Sequence, residues 1–292
     1  MERDIRDAPH IHYDDVMGLN FINNKGSYVF RRHYRQGLRS HIMEVLDRTD
    51  LERETKGIVE GGIRWFPRAR PLKMLRIFRT KFRHLEEALN EIRTIKIIEK
   101  YLAPHHLARS NEFLVDYHWN GRRDFLLCGL QDYVDGEIMD PWGPMDEGRL
   151  KEIFKRMGVR DGAFSQETSE EWIRRVREKA ESLTKRIKKM IYQESYVPDL
   201  AGIGNLLLIP SGHIKLVDIN NISRVTFEKA VPVDNKGYPV CDKSIEALSL
   251  LEQRLLGRKI DMGEKLYKTY LDPQRMKKVK FLLKQFFLCL VQ

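Results

Sequence analysis

Apolar residues along the chain fall into two periods. Leu85, Ala88, Leu89, Ile92, Ile95, Ile98 and Leu102 recur every third or fourth position, which predicts a helix over 82–102. Val176, Ala180, Leu183, Ile187 and Ile191 form a similar stripe in a long helix over 169–192. Further helices are expected over 146–157, over 242–256 with Gly257 as its stop, and over 272–290. In the last of these, Phe281, Leu282, Leu283, Phe286, Phe287, Leu288 and Leu290 form an apolar end expected to pack on the preceding helices. Strand patterns occupy the gaps. Residues 57–66 read as strand, glycine turn, strand, and 72–79 as a third strand after the proline-bounded turn 67–71. The runs 113–119 and 124–130 flank Asn120-Gly121 as a hairpin, and 206–209 and 214–217 flank the turn 210–213 as another. Residues 1–47 carry little pattern, with a short strand at 28–30 and a helix at 38–45, and read as an N-terminal extension packed on the rest of the chain.

Composition narrows the class. Hydrophobic content of 42% and 32% charged residues describe a globular chain of 292 residues, enough for one large core or two lobes. No apolar run is long enough to span a bilayer, and the N-terminus lacks the apolar core of a secretory signal. Cys128, Cys241 and Cys289 stand apart in no disulfide or zinc spacing, so a reducing, cytoplasmic setting is expected. The net charge of +10 is concentrated in 172–192, which carries Arg174, Arg175, Arg177, Lys179, Lys185, Arg186, Lys188 and Lys189. A solvated helix face accounts for that cluster. No stacking aromatics accompany it, which argues against nucleic acid and leaves peripheral contact with an anionic membrane as the alternative use.

The chemistry centres on Asn205 and Asp218. They flank the 206–217 hairpin, and a hairpin returns its two ends to the same edge. A carboxylate beside an amide carbonyl, completed by waters and phosphate oxygens, suits Mg²⁺.

Four segments, in order and at fitting spacing, resemble the protein-kinase-like superfamily: the helix around Glu91, the segment 130–137, the pair Asn205 and Asp218, and the helix that opens at Asp242. Small atypical bacterial members, of the YrbL or lipopolysaccharide-core-kinase kind, look nearer than standard Ser/Thr kinases. The resemblance implies an α+β, two-lobed fold. Its N-lobe (48–131) would be a small antiparallel sheet with one helix, in the order three strands, helix, two strands, and its C-lobe (132–292) would be mainly helical. It further implies that ATP and Mg²⁺ bind, with Gln131, Asp132 and Tyr133 reading adenine through the backbone, Asn205 and Asp218 holding the metal, and Asp199 acting as base. Glu91 would pair with the phosphate-binding cation. Alignment by strand makes that cation Arg76, and alignment by distance to Glu91 makes it Lys73.

The departures from the family pattern are specific. Gly57, Gly61 and Gly62 stand where a glycine-rich phosphate loop is expected, interrupted by Glu60. Arg in place of Lys is not conservative at a tight phosphate site. Asp199 precedes Asn205 by six residues, one more than in the family. Asp218 is followed by Ile219-Asn220, and Asn220 or Asn221 is a candidate further ligand. Two functions are consistent with this pattern: phosphotransfer from ATP to a hydroxyl of a protein or small molecule, and a pseudokinase that regulates a partner without catalysis.

Overall fold

The computed structural model describes residues 4–22, 26–35, 37, 39–161 and 167–290. The fold is α+β and the chain forms two compact units, one of residues 1–92 and 109–133 and one of 93–108 and 134–292.

The first unit contains α1 (Tyr13–Met17), β1 (Tyr28–Arg32), β2 (Ser40–Asp47), α2 (Arg48–Lys56), β3 (Ile58–Glu60), β4 (Ile63–Trp65), β5 (Lys73–Phe78), the start of α3 (Leu85–Leu102), β6 (Ser110–Trp119) and β7 (Arg122–Asp132). Five strands make one antiparallel sheet in the order β1-β2-β5-β7-β6. Along the chain this is three strands, a helix and two strands, as expected, but β1 and β2 fill the first two places. The 57–66 segment forms the separate hairpin β3-β4, outside the sheet.

Within the helix expected over 38–45, residues 40–45 are strand, and residue 38 lies outside the described residues. Six of the eight β2 residues are buried, on both faces, so the alternation that marks a half-exposed strand is missing. The described residues of the 1–47 segment, expected as an extension, supply two sheet strands and a cover for one sheet face. Ile5, Ile11, Val16 and Leu19 pack there with Phe30, Met43, Leu75, Ile77 and Leu126. Buried Arg6 fastens this cover, bridging Asp4 at 2.9 Å and Asp124 at 2.6 Å.

The second unit contains β8 (Glu137–Ile138), α4 (Glu147–Asp161), α5 (Ser169–Glu194), β9 (Tyr196–Pro198), β10 (Leu206–Leu208), β11 (Ile214–Leu216), β12 (Ile222–Arg224), α6 (Val240–Leu250), α7 (Lys265–Tyr270) and α8 (Pro273–Leu290). A capping box of Thr168 and Glu171 starts α5, which buries Trp172, Val176, Ala180, Leu183, Ile187 and Ile191 along one stripe. After α6 the helix continues as one π turn over Leu251–Leu255 and ends at Gly257, whose φ of +66° suits glycine. Cys128 and Cys241 are buried free thiols, and the side chain of Cys289 lies outside the described residues.

Candidate active site

The hairpin of β10 and β11 is anchored by four fully buried side chains, Leu206, Leu208, Ile214 and Leu216. Its turn is tied to α5, where the Trp172 indole N–H donates to the Pro210 carbonyl at 2.8 Å. With the strands held, the hairpin ends are placed. Val217 N–H donates to the Asn205 carbonyl at 2.9 Å, so Asn205 and Asp218 close the same end. β9 pairs with β12 and delivers Asp199 into the same unit.

The Asn205 amide N–H donates to the Asp199 carbonyl at 2.9 Å. That bond sets the orientation of the amide and leaves Oδ1 as its acceptor. Asp218 Oδ1 accepts from Asn220 N–H at 3.0 Å. Asp199 Oδ1 accepts from the N–H groups of Ala201 at 2.9 Å and Gly202 at 3.2 Å, and Asn221 approaches Oδ2 at 3.5 Å. Burial, and then the Asp218 charge, push the Asp199 carboxyl up to about 6, against the N–H donors and Asn221. An acid so placed is ionised at neutral pH yet close to its midpoint, as a proton acceptor should be.

The loop between Asp199 and Asn205 is tightly packed at Gly202. A Cβ at Gly202 would lie 2.5 Å from Asn205 Nδ2, closer than atoms approach. Gly202→Ala is therefore expected to turn the Asn205 amide and weaken any metal-dependent nucleotide binding at least tenfold, with a change in thermal midpoint of only a few degrees. Titration calorimetry beside a melting curve measures both.

Asp242 and Ser244, both buried in the first turns of α6, make different contacts. Ser244 Oγ accepts from Leu200 N–H at 3.2 Å and braces the loop after Asp199. Asp242 instead pairs with buried Arg275, at 2.5 Å and 3.1 Å.

In the first unit Arg76 and Lys73 each pair with an acid of another strand of the sheet. Arg76 and Glu112 both register with Gly129, which has no side chain, and the guanidinium reaches across it. It donates to Glu112 Oε1 at 3.0 Å and to Ser110 Oγ at 2.8 Å. Lys73 lies directly opposite Asp132 in the ladder and bonds it. Burial raises the Glu91 carboxyl above its ordinary range, and the charge acting on it is that of Arg39. Gln131 is buried, and Tyr133 N–H reaches the Leu72 carbonyl at 3.4 Å. Glu112 and Ser110 were missed because only the strand register reveals them.

Gly57 ends α2 with φ of +74°, and Gly61 and Gly62 form the β3-β4 tip with φ of +57° and +80°. Their positive φ meets the demands of a helix end and a tight turn.

No family model matches the chain, and no curated protein matches it. Solved structures do match. One is the ROP18 kinase domain in complex with AMP-PNP and sucrose, at 10% identity and a TM-score of 0.34, covering 83% of this chain and 68% of that one. The likeness is remote on both measures.

The donor set of the second unit stands on its own geometry. Among the described residues no group of three or more His, Cys, Asp and Glu side chains gathers as a metal cage. Asn205 Oδ1 and the Asp218 carboxylate are two hard oxygen donors, the number that suits a magnesium ion completed by phosphate and water rather than a closed protein cage.

Proposed function

We propose that the protein is an ATP- and Mg²⁺-dependent phosphotransferase whose acceptor is a hydroxyl of a protein or small molecule. The observation that carries this reading is the fixed Asn205 amide, with Oδ1 left as acceptor at the hairpin end shared with Asp218. Asn205 and Asp218 would hold the metal, which when bound supplies charge neutralisation to phosphate oxygens. Asp199 would accept the hydroxyl proton, its carboxyl poised near neutrality by burial and the Asp218 charge.

In the first unit, the backbone of Gln131 to Tyr133 is the proposed reader of adenine, and Lys73 or Arg76 the proposed phosphate contact. Gly57, Gly61 and Gly62 are the proposed cover of the phosphates, carried by the end of α2 and by the β3-β4 hairpin outside the five-stranded sheet. A regulatory pseudokinase is the second reading. It is favoured by the engagement of Arg76 with Glu112 and of Lys73 with Asp132, which occupies both cations with acids other than Glu91.

Thermal unfolding with Mg²⁺ and ATP tests the site. Nucleotide at a hundred times its Kd should stabilise the protein by about 2.7 kcal/mol. Asp218→Ala should abolish that shift, as should EDTA. A full shift retained in the variant would remove Asp218 from the site. A normal shift without phosphate transfer to any acceptor or water would favour the pseudokinase.

A further inference from the structure

Helix α8 carries five cations, Arg275, Lys277, Lys278, Lys280 and Lys284, and no acidic residue. Its apolar residues were expected to pack as a group, but they divide between two faces. Val279 and Phe286 are buried with Arg275, and Phe286 lies against Tyr238 at 5.1 Å between ring centroids. Phe281, Phe287 and Leu288 are 61%, 57% and 59% exposed. Lys277, Phe281, Lys284 and Leu288 fall within about 60° of one another around the helix, opposite the buried stripe. The exposed face thus alternates cation and large apolar side chain.

The contrast with α5 is informative. That helix holds the densest basic run in the sequence, yet much of its charge is matched within the same unit. Arg175 pairs with Glu167, Lys185 with Glu181, and Lys188 with Glu252 and Glu264. Among the described residues no carboxylate pairs with Lys277, Lys278, Lys280 or Lys284. All four lysines of α8 are thus left unmatched, whereas on α5 the unmatched cations are interspersed with paired ones.

We propose that the exposed face of α8 docks on an anionic lipid bilayer. Lysine ammonium groups would meet the headgroups while Phe281, Leu288 and Phe287 enter the boundary between headgroups and acyl chains. Each lysine held near such a surface contributes roughly a fivefold gain in partitioning, and the three apolar side chains add a component that salt does not screen. A nucleic-acid backbone would use the lysines but leave Phe281 and Leu288 without a role. Insertion across the bilayer is not part of the proposal, since no described helix is long and apolar enough to cross a membrane. The inference is independent of the phosphotransferase reading.

The test is co-sedimentation of the full chain with phosphatidylcholine vesicles, either pure or about one third phosphatidylserine. Binding is expected to the mixed vesicles and not to the pure ones. Lys277→Glu with Lys284→Glu should weaken it at least tenfold. Phe281→Ser with Leu288→Ser should weaken it several-fold and make the remainder fully salt-sensitive. All four side chains are exposed, so the thermal midpoints of both variants should stay near that of the parent protein. Equal binding to both vesicle types, no binding to either, or unchanged binding by the charge-reversed variant overturns the proposal. Tighter capture by duplex DNA than by the mixed vesicles would also overturn it, in favour of a nucleic-acid surface.

Discussion

Asp242→Ala is expected to destabilise the protein by about 3–5 kcal/mol, because it strands a buried guanidinium. Arg275 is 5% exposed and Asp242 is 2% exposed. Their bidentate contact is supplemented by an Arg275 donor to the Glu228 carbonyl at 2.6 Å and by the Tyr270 ring, 4.3 Å from the guanidinium carbon. The pair ties the start of α6 to the start of α8. Burial raises the Asp242 carboxyl even against the Arg275 charge, a sign that desolvation of the acid is large. The pair therefore adds little net stability over apolar packing, yet is costly to break. Asp242→Leu combined with Arg275→Met should recover at least half of the loss suffered by Asp242→Ala. Urea denaturation at equal m-value measures the three proteins. A loss below about 1 kcal/mol in the single variant would mean that water reaches the site.

The second large effect concerns Asp199, where function and stability are expected to move in opposite directions. Asp199→Asn should lower phosphotransfer by about 10²–10⁴-fold, the usual contribution of a positioned base. Under the proposed phosphotransfer, kcat/KM of the parent protein should rise through about pH 6 as Asp199 ionises. The folded carboxyl titrates above its unfolded value of 3.8, so between those limits the folded state holds a proton that the unfolded state has released. Stability therefore falls as pH rises from about 4 to about 6, and the full penalty persists above that window. Two pKa units correspond to about 2–3 kcal/mol. Asp199→Asn keeps an oxygen for the Ala201 and Gly202 N–H groups and removes the charge. It should therefore be more stable than the parent protein at pH 8, with the gain disappearing near pH 4. A variant less stable at every pH would show that the two N–H donors outweigh burial and the Asp218 charge.

Much of the architecture was legible in the residue pattern. α3, α5 and α8 declare themselves through periodic apolar positions, and their observed bounds lie within a few residues of the expected ones. The hairpins β6-β7 and β10-β11 arise from paired strand runs around turn residues, and the second brings Asn205 and Asp218 to one end. β2 was not legible, because burial on both faces removes the alternation by which a strand is recognised. The cover formed by residues 4–22 was not legible either, since its apolar positions are too sparse to form a periodic signal.

Local order determined by itself the hairpin that carries Asn205 and Asp218, the helical character of the second unit and the α+β class. These depend on interactions between near neighbours, which spacing records. Tertiary structure alone decided which acid each cation meets. Arg76 reaches Glu112 only because register places Gly129 between them, and Lys73 faces Asp132 across the same ladder. It also decided the Asp199 environment, where burial is set by the packing of β9, β12 and α6 and not by any adjacent residue. The division of α8 into a buried and an exposed apolar stripe belongs to the same class. Helical periodicity shows which residues share a face, but only the packed neighbours determine which face is covered.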